Sequence, residues 1–359
     1  MLSAASWLYA KSIGLRNALY EKGIFESHSL SARTISIGNI TTGGTGKTPV
    51  VAYVAKILAA RGEKVCILSR GYGRSEARKR VLVSDGSEIA ADPSEAGDEP
   101  YELAGRLLGK AMVIADADRV SAAEWAKRKF GVTAFVLDDG FQHRKVQRDV
   151  DIVCVDATNP FGGGRLIPAG RLREPVANLD RADIVLITRS DLVSPAEISK
   201  LKSQIERLTN GTIFLARNEI VRVIALEEFH AKTRSTLRQQ IDPWEAAVAS
   251  IKRDEGEAKI LAFCALGNPR AFFKNLSNRV DGSKTRINLA ATRVFPDHHI
   301  YTQIDVTELE MEAYETAASA FVTTAKDAVK LSDLSFQIPC FVVEIEVVID
   351  APAAFAALL

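Results

Sequence analysis

The chain's 359 residues allow about two domains with ample core. Lys and Arg number 46 against 45 Asp and Glu, a net charge of +1, which excludes the one-signed field of a nucleic-acid-binding protein. The four cysteines (Cys66, Cys154, Cys264 and Cys340) lie singly in apolar runs without C-x-x-C or metal-ligand spacing, so they read as reduced core thiols of a cytosolic protein.

No apolar run approaches the roughly 20 residues that span a bilayer, and the N-terminus lacks the continuous apolar core of a signal peptide. Ser3 to Phe25 reads instead as a helix. Trp7, Leu8, Leu15 and Leu19 form one stripe and Tyr9, Ile13 and Tyr20 a second, interrupted by Lys11, Arg16 and Lys22. Such a helix suits a bilayer interface, with lysines snorkelling to headgroups. It equally suits packing on a sheet.

Thr34 to Ile40 alternates as a buried strand, Thr41 to Thr48 (T-T-G-G-T-G-K-T) is a glycine-rich turn, and Val50 to Ala60 continues as an apolar helix behind Pro49. Strand, glycine turn and helix are the context of a phosphate-binding loop. Backbone N–H groups of Thr41, Thr42, Gly43, Gly44, Thr45 and Gly46 would cradle phosphate oxygens at a helix N-terminus. Lys47 would reach the β- and γ-phosphates and Thr48 would offer its hydroxyl to magnesium. Thr41 departs from the general pattern, which has Gly there.

A second strand, Lys64 to Leu68, ends in the basic loop Ser69-Arg70-Gly71-Tyr72-Gly73-Arg74, at the carboxyl end where open α/β sheets bind ligands. Gly97-Asp98-Glu99-Pro100 opens a helix over Tyr101 to Leu108, where Asp98 reads as an N-cap or, in a cleft, as a general base. After a helix at Arg119 to Phe130, the strand Val132 to Leu137 runs into Asp138 and Asp139. An acidic pair at the tip of an apolar strand downstream of a phosphate loop looks like a magnesium-ordering element, because adjacent carboxylates repel without a cation. A plain Asp-Gly turn is the other reading.

Asp151 to Asp156 and Asp183 to Thr188 are further buried strands. Between them Asn159 to Pro175 is a long Gly- and Pro-rich loop. Its Arg165, Arg171 and Arg173 either bind phosphates or decorate a solvated loop. Thr188-Arg189-Ser190-Asp191 resembles a guanine-recognition element with Arg in place of Lys, which supports an alternative of another class, a GTP-driven switch or metallochaperone.

The expected fold class is α/β: a P-loop NTPase-like, doubly wound, mostly parallel sheet over residues 1–217, and a smaller α/β domain over 218–359. Asn218 to Glu228 and Phe341 to Ile349 would form a two-stranded ribbon joining them. The second unit carries a strand at Lys259 to Leu266, a helix through Asn275, a helix near Thr307 to Ser319 and a strand at Ala320 to Thr323. In its cluster Phe295-Pro296-Asp297-His298-His299, three adjacent residues on one loop rarely complete a zinc site; one histidine suits acid–base support better, and a structural loop histidine is the other reading. The polar stretch His230 to Glu257 matches no motif.

Together SIGNITTGGTGKTP, LSRGYGR, GDEPYELA, LDDGFQHRKVQRDVDIV, GRLIPAGRLREP, GNPRAFF, FPDHH and TTAKDAVKL, spread from Ile24 to about Leu331, resemble the tetraacyldisaccharide 4'-kinases of lipid A biosynthesis. That family tolerates a non-glycine at the Thr41 position. The resemblance implies γ-phosphate transfer from ATP, with Mg2+, to the 4'-hydroxyl of a lipid disaccharide 1-phosphate. It carries the general base onto Asp98, its supporting histidine onto His298, the phosphate loop onto Thr41 to Thr48 and the magnesium-associated pair onto Asp138 and Asp139. It also implies a peripheral location on the cytoplasmic face of the bacterial inner membrane, reached through the N-terminal helix; the balanced charge gives no reason to expect nucleic acid, and no obligate protein partner is inferred.

Overall fold

Alternation of buried strands with helices gives two compact units, Met1–Arg217 with Val347–Leu359, and Asn218–Glu346. The computed structural model describes residues 2–72, 74, 76–230, 258–280, 287–297 and 299–359. His298 and the polar stretch 231–257 lie outside the described residues.

In the first unit, helix α1 (Leu2–Glu21) precedes strand β1 (Arg33–Gly38), helix α2 (Lys47–Ala60), β2 (Val65–Ser69), β3 (Val81–Ser84) and the short α3 (Pro93–Ala96). There follow α4 (Asp98–Arg106), β4 (Ala111–Ala115), α5 (Arg119–Phe130), β5 (Ala134–Asp138), β6 (Val150–Asp156), β7 (Ile184–Thr188), α6 (Pro195–Ile205) and β8 (Thr212–Ala225), which passes into the second unit from Asn218. The strands lie in the order β8-β7-β6-β1-β5-β2-β4-β3. All pairings are parallel except β3 on β4.

Each inner strand is apolar on both faces because helices cover both. Along β5, Ala134 and Val136 join the cluster of Ile35, Ile37, Val54 and Leu58, whereas Phe135 and Leu137 join Leu68, Ala122 and Ala126 on the other face. This is the two-residue period of a pleated strand. Helix ends follow local chemistry: Asp118 accepts from the Ser121 N–H at the start of α5, whose end is turned by Gly131, and Ser194 and Glu197 form a capping box at α6.

The second unit contains α7 (Leu226–His230), β9 (Ala258–Cys264), α8 (Pro269–Val280), β10 (Ile287–Val294), α9 (Gln303–Glu315), β11 (Ala320–Thr324), α10 (Ala325–Ala328) and β12 (Cys340–Ile349). Its order is β10-β9-β11-β12, parallel throughout. Ile260, Ala262 and Val322 face Phe272 and Leu276, while Leu261, Phe263 and Phe321 face Leu309 and Ala313. Strands β8 and β12, which carry the chain out of the first unit and back, are hydrogen-bonded neighbours, as expected of a ribbon.

Three details depart from the sequence reading. The strand expected through Glu228 stops at Ala225, and Leu226–His230 turns helical, with Leu226 buried. Strands β3, β4 and β10 were not expected. The last residues, expected in the second domain, return to the first unit as α11 (Pro352–Ala357), where Phe355 packs edge-on to Phe214 at 5.4 Å and against Tyr53 at 6.0 Å. A fully buried aromatic outweighs the linear order of the chain.

All four cysteines are buried and free of disulfides, and burial pushes the Cys154 and Cys264 thiols up to about 12. Among the described residues no helix is long and apolar enough to cross a membrane.

Candidate active site

The carboxyl ends of β1 and β5 bring the phosphate loop and Lys47 beside Asp138 and Asp139, and the ends of β2 and β7 add Ser69 and Thr188. From β1 the chain enters the phosphate loop through Asn39, fully buried, whose Nδ2 donates to Thr45 Oγ1 at 2.9 Å while its carbonyl accepts from Gln142 at 2.9 Å. Thr188, at the end of β7, donates its hydroxyl to the Thr45 carbonyl at 2.8 Å. Gly43 and Gly46 adopt φ of 102° and 80°, conformations that side chains resist. Gly46 caps α2, leaving that helix's first N–H groups directed into the loop. A Cβ on Gly43 would run into the guanidinium of Arg171. Thr41 is buried and bridges Leu172, so its side chain stands where the segment 171–173 packs.

Lys47, the first residue of α2, lies 3.4 Å from Oδ1 of Asp139, and Arg173 donates to Oδ2 of the same carboxylate at 2.6 Å. Asp139 holds φ at 52°, a strained conformation for a non-glycine residue. Burial works against its ionisation, but Lys47 and Arg173 prevail and hold its carboxyl below the usual range.

Asp138 is buried at the tip of β5 and accepts a hydrogen bond from Ser69 Oγ at 2.8 Å. Burial first, then the carboxylates of Glu99 and Asp139, pushes its pKa up. The adjacent acids therefore do different work. Asp139 orders two cations, whereas Asp138 sits in a carboxylate-rich pocket that favours added positive charge. Arg119, also buried, faces Asp138; burial lowers its pKa and Asp138 opposes the shift.

A divalent cation fits these groups. The Oδ1 of Asp139 is buried with only the 3.4 Å approach of Lys47, the Asp138 carboxyl resists ionisation where it stands, and the Thr48 hydroxyl opens the same helix as Lys47. All are hard oxygen donors of the kind magnesium takes. No cluster of three His, Cys, Asp or Glu side chains that could hold a metal occurs among the described residues, so phosphate oxygens would have to complete the shell.

Asp98 does not cap its helix. Gly97 holds the N-cap position with φ 88°, and Asp98 is the first residue of α4. The backbone of Gly97 packs so closely on Gly71 and Tyr72 that a Cβ there would lie 2.7 Å from the Tyr72 carbonyl. The helix start is thus fixed against the basic loop after β2.

The guanine-recognition reading of Thr188 to Asp191 has other employment in the structure. Thr188 holds the phosphate loop, and Arg189 pairs with Asp156 at the end of β6. In the second unit Asp297 pairs with Lys326 at 3.1 Å, and His299 stacks on Phe295 at 4.9 Å with Nε2 3.2 Å from Asp305.

Asn39, Ser69 and Glu99 lie within the motifs of the sequence and Arg119 does not, but only tertiary folding brings their side chains to this edge. Arg173 was one of three loop arginines with no means of ranking them.

A family model described as tetraacyldisaccharide-1-P 4'-kinase matches residues 1–359. A tetraacyldisaccharide 4'-kinase of Halothermothrix orenii is 39% identical over 339 residues, 92% of this chain and 83% of that protein. One of Geobacter metallireducens is 38% identical over 332 residues, 92% of this chain and 88% of its own. Among solved structures, LpxK from Aquifex aeolicus in complex with ATP superposes with a TM-score of 0.73 at 31% identity, covering 99% of this chain and 96% of that one.

Proposed function

The chain belongs to the tetraacyldisaccharide-1-P 4'-kinase family, and from that premise we propose that it transfers the γ-phosphate of ATP to the 4'-hydroxyl of a tetraacyldisaccharide 1-phosphate, forming the bis-phosphorylated lipid A precursor. The observation that carries this reading is the shared carboxylate of Asp139, which holds Lys47 and Arg173 together beside a glycine loop at a helix N-terminus.

In this reading the loop N–H groups from Thr41 to Thr48 bind the phosphates, and Lys47 stabilises charge on the transferring group, the main catalytic work in phosphoryl transfer. Asp98 accepts the proton of the sugar hydroxyl, a poor nucleophile until deprotonated. The family resemblance adds His298 as the histidine supporting Asp98, an assignment that rests on sequence alone. Thr48, Asp138 and Asp139 are the residues that would hold magnesium, which when bound neutralises charge on phosphate oxygens.

The acceptor is a lipid, and α1 offers a surface to meet it. Trp7, Leu8 and Leu15 are each more than 60% exposed along one stripe, and Ile24 is 62% exposed just beyond the helix. Lys11 lies over the Trp7 ring at 5.5 Å, an arrangement suited to the headgroup level of a bilayer. We assign this stripe to the cytoplasmic face of the inner membrane.

The test is incubation with ATP and a tetraacyldisaccharide 1-phosphate, with products resolved by mass. A product one phosphate heavier at the 4'-position is expected. ATP binding without transfer to that acceptor would overturn the reading.

A further inference from the structure

Helix α1 turns two unlike stripes in opposite directions. One exposes Trp7, Leu8 and Leu15. The other is largely polar and inward: Ser6 Oγ donates to the Leu166 carbonyl at 2.9 Å and accepts from the Ala169 N–H at 3.0 Å, and Tyr9 OH donates to the Arg173 carbonyl at 2.8 Å. Asn17, buried, donates to Glu174 Oε2 at 3.3 Å. The Glu174 side chain is wholly buried and also accepts from Asn178 at 2.6 Å and Arg181 at 2.7 Å, with Arg16 4.0 Å from its other oxygen. Anchoring a helix to a membrane requires no such directional seam.

The segment held by this seam reaches the phosphate loop. The Thr42 N–H donates to the Arg171 carbonyl at 2.7 Å, and the Arg173 N–H donates to the Ile40 carbonyl at 2.7 Å. Arg173 is consequently gripped twice, its carbonyl by Tyr9 of α1 and its guanidinium by Asp139. Residues 171–173 form a rung between the N-terminal helix and the nucleotide site.

We infer that α1 is a positioning element for the phosphate loop: Tyr9 and Glu174, acting through residues 171–173, set the loop in the geometry that binds triphosphate. The inference rests on the reading of that loop as an ATP site. It gives the lipid-facing helix a second role in nucleotide affinity, exercised in the absence of lipid.

The test measures affinity for a non-hydrolysable ATP analogue with magnesium, by calorimetry on the full chain without lipid acceptor. Tyr9→Phe removes one hydrogen bond at nearly constant volume, and is expected to weaken analogue binding about 3- to 10-fold. Its thermal midpoint without nucleotide should stay within about 3 °C of wild type. In turnover assays it should raise KM for ATP by a similar factor while leaving kcat at saturating ATP in place, a split that general loosening of the fold would not produce. Combined with Arg173→Ala, its effect on affinity should be less than additive, because both act through one rung. Glu174→Gln is expected to act in the same direction. Wild-type protein that fails to bind the analogue would overturn the ATP reading and this inference with it. Tyr9→Phe protein that binds as tightly as a binding-competent wild type would overturn the inference alone.

Discussion

Lys47 places its ammonium 3.4 Å from one oxygen of Asp139, while Arg173 donates to the other oxygen of that carboxylate at 2.6 Å. Two cations on one carboxylate keep their charge ordered beside the loop instead of spread into solvent. Asp139 holds this place in a left-handed backbone conformation, which an ordinary strand end would relax.

Removing either half of this contact should depress turnover. Lys47→Ala is expected to lower kcat by about 10²- to 10³-fold, the scale on which an electrostatic contact to the transition state is lost. Asp139→Asn should lower it less, roughly 10- to 100-fold, since the lysine remains but is no longer held. Steady-state phosphoryl transfer checks both, and wild-type kinetics in Lys47→Ala would remove the loop from the chemistry.

Asp98 is the first residue of α4, with Gly97 at the N-cap, so replacing it leaves the N-cap residue unchanged. Asp98→Ala is expected to reduce kcat by about 10²- to 10⁴-fold, the span attributed to general base catalysis. Affinity for the ATP analogue should remain within about twofold of wild type. Calorimetry alongside turnover measurements separates the two, and retained turnover would sink the base assignment.

Gly43 holds a φ of 102°, which strains any side chain placed there, and a Cβ would also displace the flexible end of Arg171. Gly43→Ala is expected to weaken nucleotide binding by about tenfold or more, the effect of roughly 1–3 kcal/mol of local strain. Global stability should fall by much less, because the loop can yield without opening the core. Analogue titration compared with urea unfolding distinguishes the two effects.

His143 is expected to make stability depend on pH. Burial, followed by the nearby Arg119, Arg148 and Lys145, lowers its pKa from 6.5 to about 4. Its Nε2 is buried without a hydrogen bond. Folded protein therefore keeps this ring neutral where the unfolded chain would protonate it. The stability associated with the neutral ring is complete above about pH 6.5 and is lost as the pH falls toward about 4. Urea unfolding at pH 7 and pH 5 should show a larger loss for wild type than for His143→Gln, and equal losses would refute the assignment.

Legibility in the sequence followed locality. The phosphate loop was readable because its strand, glycines and helix are consecutive, and the Asp138–Asp139 pair because it ends an apolar strand. Strand β4 escaped although its five residues are apolar and buried, because so short a run has no period to distinguish it from core helix. Asp98 presented the pattern of a cap, and only backbone geometry gave that position to Gly97. The α1 stripes were visible as stripes, but not which of them would meet protein.

By itself the sequence determined the family, the α/β class and the position of the triphosphate loop, because these reside in short-range order: hydrophobic period, glycine placement and motifs of consecutive residues. Tertiary structure decided which charges meet. It put Lys47 and Arg173 on Asp139, left Asp138 among carboxylates, gave Arg189 to Asp156, and tied Tyr9 and Asn17 to a loop more than 150 positions away. Electrostatic pairing and hydrogen bonding act over a few ångströms in space, and distance along a chain says nothing of that until the sheet has brought its strand ends together.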